Sequence, residues 1–349
     1  MLILTIIYFL STIVATDYIL TPRKNGSKRP KLMGGKIRGY SKFSKSNTEF
    51  AFAKDLSSSE INLLSKDFHV EKDEIVSINW HLDRIDQRYL PLDMRTYLVS
   101  NKASNIDVYI MDTGIDLDHF EFSDNNRTWG ANFIDTINTD CHGHGTHVAS
   151  LATGKFYGSS KGANLIAVKV LDCNGAGSYS GIISAINWIT ERASKSGKIS
   201  VVNMSLGGPK STAVDTAILN SFNSGVYYVV AAGNSNLDAC NVSPAGIPSV
   251  ITVAASDVYD TRASFSNYGK CIDVYSPGVN IKGAWPNLRM MTLSGTSMAS
   301  PIVAGVLTNF LSKYGRSGYA KFNSSMTSNV IKSNKYLTRN KLVYYNYRL

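Results

Sequence analysis

Three short segments of this chain carry side chains that can do nucleophilic chemistry together. The first, Val108-Tyr109-Ile110-Met111-Asp112-Thr113-Gly114, is an apolar run ending in a carboxylate and a glycine turn. The second, His142-Gly143-His144-Gly145-Thr146-His147-Val148-Ala149, offers imidazoles at the start of a helical pattern. The third, Ser294-Gly295-Thr296-Ser297-Met298-Ala299-Ser300-Pro301, puts hydroxyls there. A serine hydroxyl is a poor nucleophile near neutral pH and needs a base within hydrogen-bond reach. His144 can take the Ser297 proton and later return it to a leaving group. Asp112, at a strand end, can orient the ring and stabilise its cation. Ser297 opens a helix, so its N–H points outward where partial positive charge collects. Singly, these residues read as a strand-end turn, a glycine loop and a helix cap. Their order along one chain sets them apart.

The histidine-rich segment also admits a metal reading, since Asp140, Cys141, His142, His144 and His147 are all ligand types for zinc. Glycines between the histidines suit close packing better than helical ligand spacing, so no catalytic metal is expected.

These residues need a scaffold. Ile106–Asp112, Asn164–Leu171, Ile199–Ser205, Gly225–Ala232 and Val250–Ala255 read as short, buried, β-branched strands. Thr146–Thr153, Tyr179–Ala193, Ala213–Ser224 and Thr296–Leu311 read as helices, with Ala299, Ala304 and Gly305 keeping the last slim enough to lie against a sheet. Strands separated by helices predict a parallel sheet covered on both faces. Asn203 belongs to an Asn-x-Ser sequon, but its place on a buried strand argues against glycosylation. Upstream, residues 49–76 read as a small unit: a strand with Phe50 and Phe52 on one face, a capping box of Ser57 and Glu60, and an apolar stretch from Ile75 to Ile78. The basic stretch before it, to about Ser46, reads as a linker.

The chain has 349 residues, 44% apolar and 18% charged, which excludes disorder and a multi-span membrane protein. Its net charge of +10 resides at the ends: nine Lys/Arg and no Asp/Glu in residues 21–48, eight and none in 311–349. Between 49 and 310, nineteen basic residues face twenty-five acidic ones, a net of −6. Such end blocks are typically solvated, so nucleic acid is not an expected partner. Residues 2–15 are nearly all apolar but would rise only about 21 Å as a helix, short of the ~30 Å hydrocarbon core. They read as a signal peptide over 1–16 and not as a stable membrane span. In an exported chain the four cysteines allow two disulfides, in any of three pairings.

Taken together, the segments from about Trp80 to Phe310 closely resemble the subtilisin-like serine proteases (peptidase S8), within them the proteinase K and aqualysin branch. The resemblance implies an α/β fold: a three-layer subtilisin-like domain with a mostly parallel sheet over 77–349, preceded by a small α+β propeptide over 17–76. It implies a secreted, monomeric serine endopeptidase, processed from its own proenzyme and acting on proteins and peptides. Asp112, His144 and Ser297 would form the triad, with the Asn234 side chain, in Ala231-Ala232-Gly233-Asn234, in the oxyanion hole. Implied substrate contacts are Gly175, Ala176, Gly177 and Tyr179 on one side, Ser205, Leu206, Gly207 and Gly208 on the other, with Ala232 and Gly233. No acidic residue lies in Ser205–Gly208 or Ala231–Gly233, so a broad apolar or aromatic P1 preference is expected. The resemblance pairs Cys141 with Cys173 and Cys240 with Cys271. It implies structural Ca²⁺ at Asp83, Asp86, Gln87 and Asp93, and again at Asp273 with the carbonyls of Pro248 and Val250. Arg95 departs from the first pattern, falling where another oxygen ligand is expected. A catalytically inactive subtilisin-fold binding module is the reading from another class. The presence of all four of Asp112, His144, Ser297 and Asn234 argues against it.

Overall fold

Asp17–Pro22 and Ile37–Lys42 make strands, despite lying in a basic stretch that reads as a linker. The structure, a computed structural model, describes residues 17–23, 30, 36–42, 49–54, 56–72, 79–95 and 102–345. The chain divides into two units at Ser77 and Ile78. Residues 1–16, read as a signal peptide, and the stretch Ile75 to Ile78 lie outside the described residues.

In the first unit, β1 (Asp17–Pro22), β2 (Ile37–Lys42), β3 (Glu49–Lys54) and β4 (Phe68–Lys72) form an antiparallel sheet in the order β2-β3-β1-β4. Helix α1 (Ser58–Leu64) begins at the expected capping box: Ser57 N–H donates to Glu60 Oε2 at 2.8 Å, and Glu60 N–H to Ser57 Oγ at 3.3 Å. Lys36 pairs with the same Glu60 at 2.7 Å; its ammonium, with the Ser57 hydroxyl, holds that carboxyl down at about 2. Leu20, Ala51, Ala53, Leu56, Leu64 and Phe68 are the buried core. The unit is thus larger than residues 49–76, because two of its strands, the internal β1 and the edge β2, come from the stretch read as a linker.

The second unit starts with α2 (Trp80–Ile85) and builds a sheet that is nine-stranded among the described residues. Its centre is parallel: β10 (Val226–Ala231), β8 (Ile199–Met204), β5 (Ile106–Asp112) and β7 (Asn164–Lys169) lie side by side. β6 (Asn126–Asn132) closes one edge. On the other side follow β12 (Ile251–Ser256), β13 (Val274–Pro277) and the short β17 (Lys341–Leu342) and β16 (Thr327–Ser328), the last antiparallel.

β5 shows why its sequence is apolar on both faces. Ile106, Val108 and Ile110 pack toward α3 (His144–Thr153) and α6 (Thr296–Tyr314). Tyr109 and Met111 face the opposite layer, under α4 (Tyr179–Ser196) and α5 (Thr212–Asn223). Outside the layers lie two small ladders, β9 (Gly208–Pro209) with β11 (Val242–Ser243) and β14 (Ile281–Trp285) with β15 (Arg289–Leu293); α7 (Gly318–Ser325) follows α6.

Helix α6 is buried from Met298 through Leu311. Truncating one of its core side chains, such as Leu307→Ala, costs about 2–5 kcal/mol. Gly305 serves a different contact from the expected one. A Cβ there would meet Ser159 Oγ at 2.1 Å and the Ala152 carbonyl at 2.4 Å, so it lets α6 approach α3 and the turn after it.

Candidate active site

The C-terminal ends of parallel strands gather loops at one edge of such sheets, and four of those loops build the site. β5 ends in Asp112, which is fully buried. Its Oδ1 accepts from Thr113 N–H at 2.8 Å and pairs with His144 Nδ1 at 2.7 Å. That contact places the proton on Nδ1 and leaves Nε2 as the base. His144 comes this close because its neighbour is Gly145, where a Cβ would sit 2.1 Å from the Gly114 carbonyl. Burial pushes the His144 pKa down; the charge and hydrogen bond of Asp112, with the charge of Asp140, outweigh it and raise the value above normal.

Ser297 lies in the first turn of α6. Its hydroxyl donates to the Ser205 carbonyl at 3.1 Å, and among the described residues no acceptor meets its N–H. Pro301 adds a consequence absent from the motif reading. Lacking an N–H, it cannot bond the carbonyl four residues back, which is that of Ser297. The Ser205 hydroxyl takes that carbonyl instead, at 2.9 Å. Ser205 Oγ is in turn held by Asn203 Nδ2 at 2.9 Å, while Asn203 Oδ1 accepts from Ser300 Oγ at 2.7 Å. Asn203 is fully buried and braces β8 against the helix that carries the serine. The sequence signal was an amide set between the apolar residues Val202 and Met204 of a buried strand.

Asn234 follows β10, and its amide orientation is fixed by partners. Oδ1 accepts both Thr296 N–H at 2.8 Å and Thr296 Oγ1–H at 2.9 Å. The NH₂ group is therefore the free end, beside the Gly295–Ser297 turn. Two donors, the Asn234 amide and the Ser297 N–H, stand ready for negative charge beside the serine.

A cleft of about 740 Å³ runs from His144 between two chain segments. Gly175, Ala176, Gly177 and Tyr179 line one side; Ser205, Leu206, Gly207 and Gly208 line the other. Tyr179 crosses between them, its hydroxyl donating to the Pro209 carbonyl at 2.7 Å. Leu171, Ile182, Leu206 and Val214 give the lining its apolar character, and it includes no Asp, Glu, Lys or Arg. Ala232 and Gly233 do not line it. Ala232 is fully buried, and Gly233 donates its N–H to Thr296 Oγ1 at 3.1 Å, so both support the Asn234 turn from behind.

The disulfides are Cys141–Cys173 and Cys240–Cys271, closing 32 and 31 residues. Each contributes about 3–4 kcal/mol in the chain-entropy description. The first ties the loop before His144 to the loop that leads into Gly175.

Of the metal readings, the histidine cluster does not fit. Cys141 is in a disulfide, both Asp140 oxygens accept protein donors, and His147 Nε2 bonds the Met291 carbonyl at 3.1 Å. At Asp83, in α2, the residues suit a hard cation better. This carboxylate is buried; Oδ2 accepts from Met94 N–H at 3.0 Å, while Oδ1 has no partner among the described residues. Of the companions, Asp93 accepts Arg95 N–H on Oδ1, the Gln87 NH₂ group donates to the Tyr89 and Pro91 carbonyls and so leaves its oxygen as the atom that can ligate, and Asp86 caps the end of α2. Asp273 does not fit. Its Oδ1 takes Arg339 at 2.8 Å and its Oδ2 takes Thr252 N–H at 3.0 Å, so a guanidinium stands where a metal is expected beside Pro248 and Val250.

The comparisons agree with this geometry. The model of the subtilase family (peptidase S8) matches residues 103–343. Subtilisin-like protease 6 of Trichophyton rubrum is 41% identical over 349 aligned residues, covering 92% of this chain and 83% of that protein. The extracellular serine proteinase of Thermus sp. (strain Rt41A) is 45% identical over 272 residues, 76% of this chain and 65% of the relative. Alkaline serine exoprotease A of Vibrio alginolyticus is 44% identical over 74% of this chain, which spans only about half (49%) of that relative. A crystal structure of a cold adapted subtilisin-like serine proteinase is similar with a TM-score of 0.72 and 44% identity, over 76% of this chain and 97% of that one. The chain belongs to the subtilase family of serine proteases. Among the described residues, no helix is long and apolar enough to cross a membrane.

Proposed function

We propose that this chain is a secreted serine endopeptidase, made as a proenzyme, that hydrolyses peptide bonds of proteins through Asp112, His144 and Ser297. The observation that carries this is the pairing of an Asp112–His144 contact of 2.7 Å with a helix-opening serine flanked by two free donors. The Ser297 hydroxyl turns from the Ser205 carbonyl to His144 Nε2, gives up its proton and attacks the substrate carbonyl. The Ser297 N–H and the Asn234 amide receive the oxyanion, and Asp112 stabilises the imidazolium. His144 then protonates the leaving amine, and water releases the acyl group by the same route. An extended peptide fits between the Gly175–Gly177 and Ser205–Gly208 segments by backbone pairing. The apolar, uncharged lining supports a broad apolar or aromatic P1 preference.

Residues 17–76 act as the propeptide, and cleavage falls between Lys72 and Asn79. Asp83, whose Oδ1 has no partner among the described residues, with Asp93 close by, would hold a structural Ca²⁺, which would supply positive charge to this buried carboxylate. The names of the Thermus and Vibrio relatives support export.

The test is fluorophosphonate labelling of the full chain beside Ser297→Ala, with the N-terminus of any shortened product sequenced. Labelling and shortening that both disappear in the variant are expected. A folded chain that neither labels nor shortens, also when begun at Asn79, sinks the reading and favours a non-catalytic binding module.

A further inference from the structure

Asp140 is almost fully buried and accepts five hydrogen bonds, yet no catalytic or substrate-binding step above uses it. Its Oδ1 takes Thr113 Oγ1–H at 2.8 Å, His142 N–H at 3.2 Å and Gly143 N–H at 2.7 Å. Its Oδ2 takes Thr146 N–H at 2.9 Å and Thr146 Oγ1–H at 2.6 Å. Thr113 also accepts Gly145 N–H at 2.9 Å, so it relays Asp140 to that residue. Asp140 thus holds residues 142, 143 and 146 directly and 145 through Thr113. His144 is bracketed on both sides, and Thr113 is the residue after Asp112.

We propose that Asp140 is a positioning residue for the Asp112–His144 couple, locking the end of β5 to the first turn of α3 and lending its charge to the imidazolium formed during catalysis. A loop cap alone would explain the hydrogen bonds. The charge adds something a cap does not require: it helps raise the His144 pKa without touching the ring. The other groups facing His144 are Asp112 from β5, His142 with ring centroids 6.3 Å away, and His147 along α3. Lys169 of β7, fully buried, lies behind them and donates to the Thr113 and Leu171 carbonyls at 2.7 and 3.0 Å. Removing Asp140 leaves His144 with a smaller negative surround and a less constrained approach to Asp112.

The inference rests on the peptidase reading, and the experiment separates the two. The rate of fluorophosphonate labelling is measured against pH for the natural chain, Asp140→Asn and Thr146→Val. No labelling of the natural chain at any pH overturns the peptidase reading first. Given labelling, Asp140→Asn is expected to lose at least tenfold in rate at the plateau and to move the acid limb to lower pH. Thr146→Val keeps the charge, so its acid limb is expected to stay in place whatever the rate does. An Asp140→Asn profile that superimposes on the natural one overturns the proposal; so does the same acid-limb shift in Thr146→Val. If Asp140→Asn does not fold, Thr113→Val cuts the link to β5 and keeps the carboxylate. A tenfold or greater loss with an unmoved acid limb is then expected, and an unchanged rate overturns the positioning role.

Discussion

Asp112, fully buried, and Asp273, partly buried, are carboxylates of the larger unit held in opposite ways. Asp112 faces His144, a partner whose charge comes and goes, and its Oδ2 has no partner among the described residues. Asp273 faces Arg339, a permanent cation, and both its oxygens are occupied. Burying a carboxylate without a partner is costly in either place. A partner that can release its charge couples the carboxylate to chemistry; one that cannot couples it only to stability.

The sharpest way to break this contrast is Asp112→Asn. It removes the acceptor that sets the His144 tautomer, so kcat is expected to fall about 10⁴-fold, with the unfolding temperature little changed. Steady-state hydrolysis and thermal unfolding of the same preparation check both halves. Next comes Asn234→Ala, which removes one preset donor: a loss of about 10²–10³ in kcat is expected with KM nearly constant. A KM change as large as the kcat loss would count against an oxyanion role.

The third prediction concerns a histidine in the same helix as His144 that is held neutral. Burial drives the His147 pKa down to about 4 from 6.5. Below pH 6.5 the unfolded chain binds a proton that the folded chain refuses until about 4. Its stabilising effect is therefore complete above pH 6.5 and fades toward pH 4, by about 3 kcal/mol in all. His147→Gln is expected to flatten that part of the stability–pH curve, read by denaturant titration at several pH values. The smallest effect belongs to Arg339→Ala. The arginine is largely exposed, so about 1 kcal/mol is lost, a few degrees in unfolding temperature. Activity is expected to stay intact. A drop in activity without a drop in stability would erase the distinction drawn above.

What the sequence made legible follows from how local the signal is. β5 and α6 could be read because their apolar runs end in chemically distinctive residues within a few positions. β6, with the sequence Asn-Arg-Thr-Trp-Gly-Ala-Asn, could not, because an edge strand need not be apolar on either face. The basic C-terminal stretch looked like a solvated tail, yet Asn340 brackets the backbone of Ile331 and Leu342 pairs with Tyr275. Those contacts are long-range and leave no period. β1 and β2 were missed for the same reason: their pairing partners, β3 and β4, come later in the chain. In the site, residue types and their order announced Asp112, His144 and Ser297, while Asn234, by itself a common turn residue, came with the family resemblance. Asp140 and Asn203 act through geometry, and only the fold brings their partners together. At Asp273 the resemblance pointed to a metal, and the arginine that fills the place comes from far along the chain.

The hydrolytic centre draws on the end of β5, the start of α3, the loops after β8 and β10, and the start of α6, which comes late in the chain. No fragment that stops short of α6 contains a nucleophile beside its base. Contacts this distant in sequence form slowly and late during folding. A single chain arranged this way cannot bring its serine beside its histidine until α6 has docked, so a half-folded copy carries no cutting site of its own.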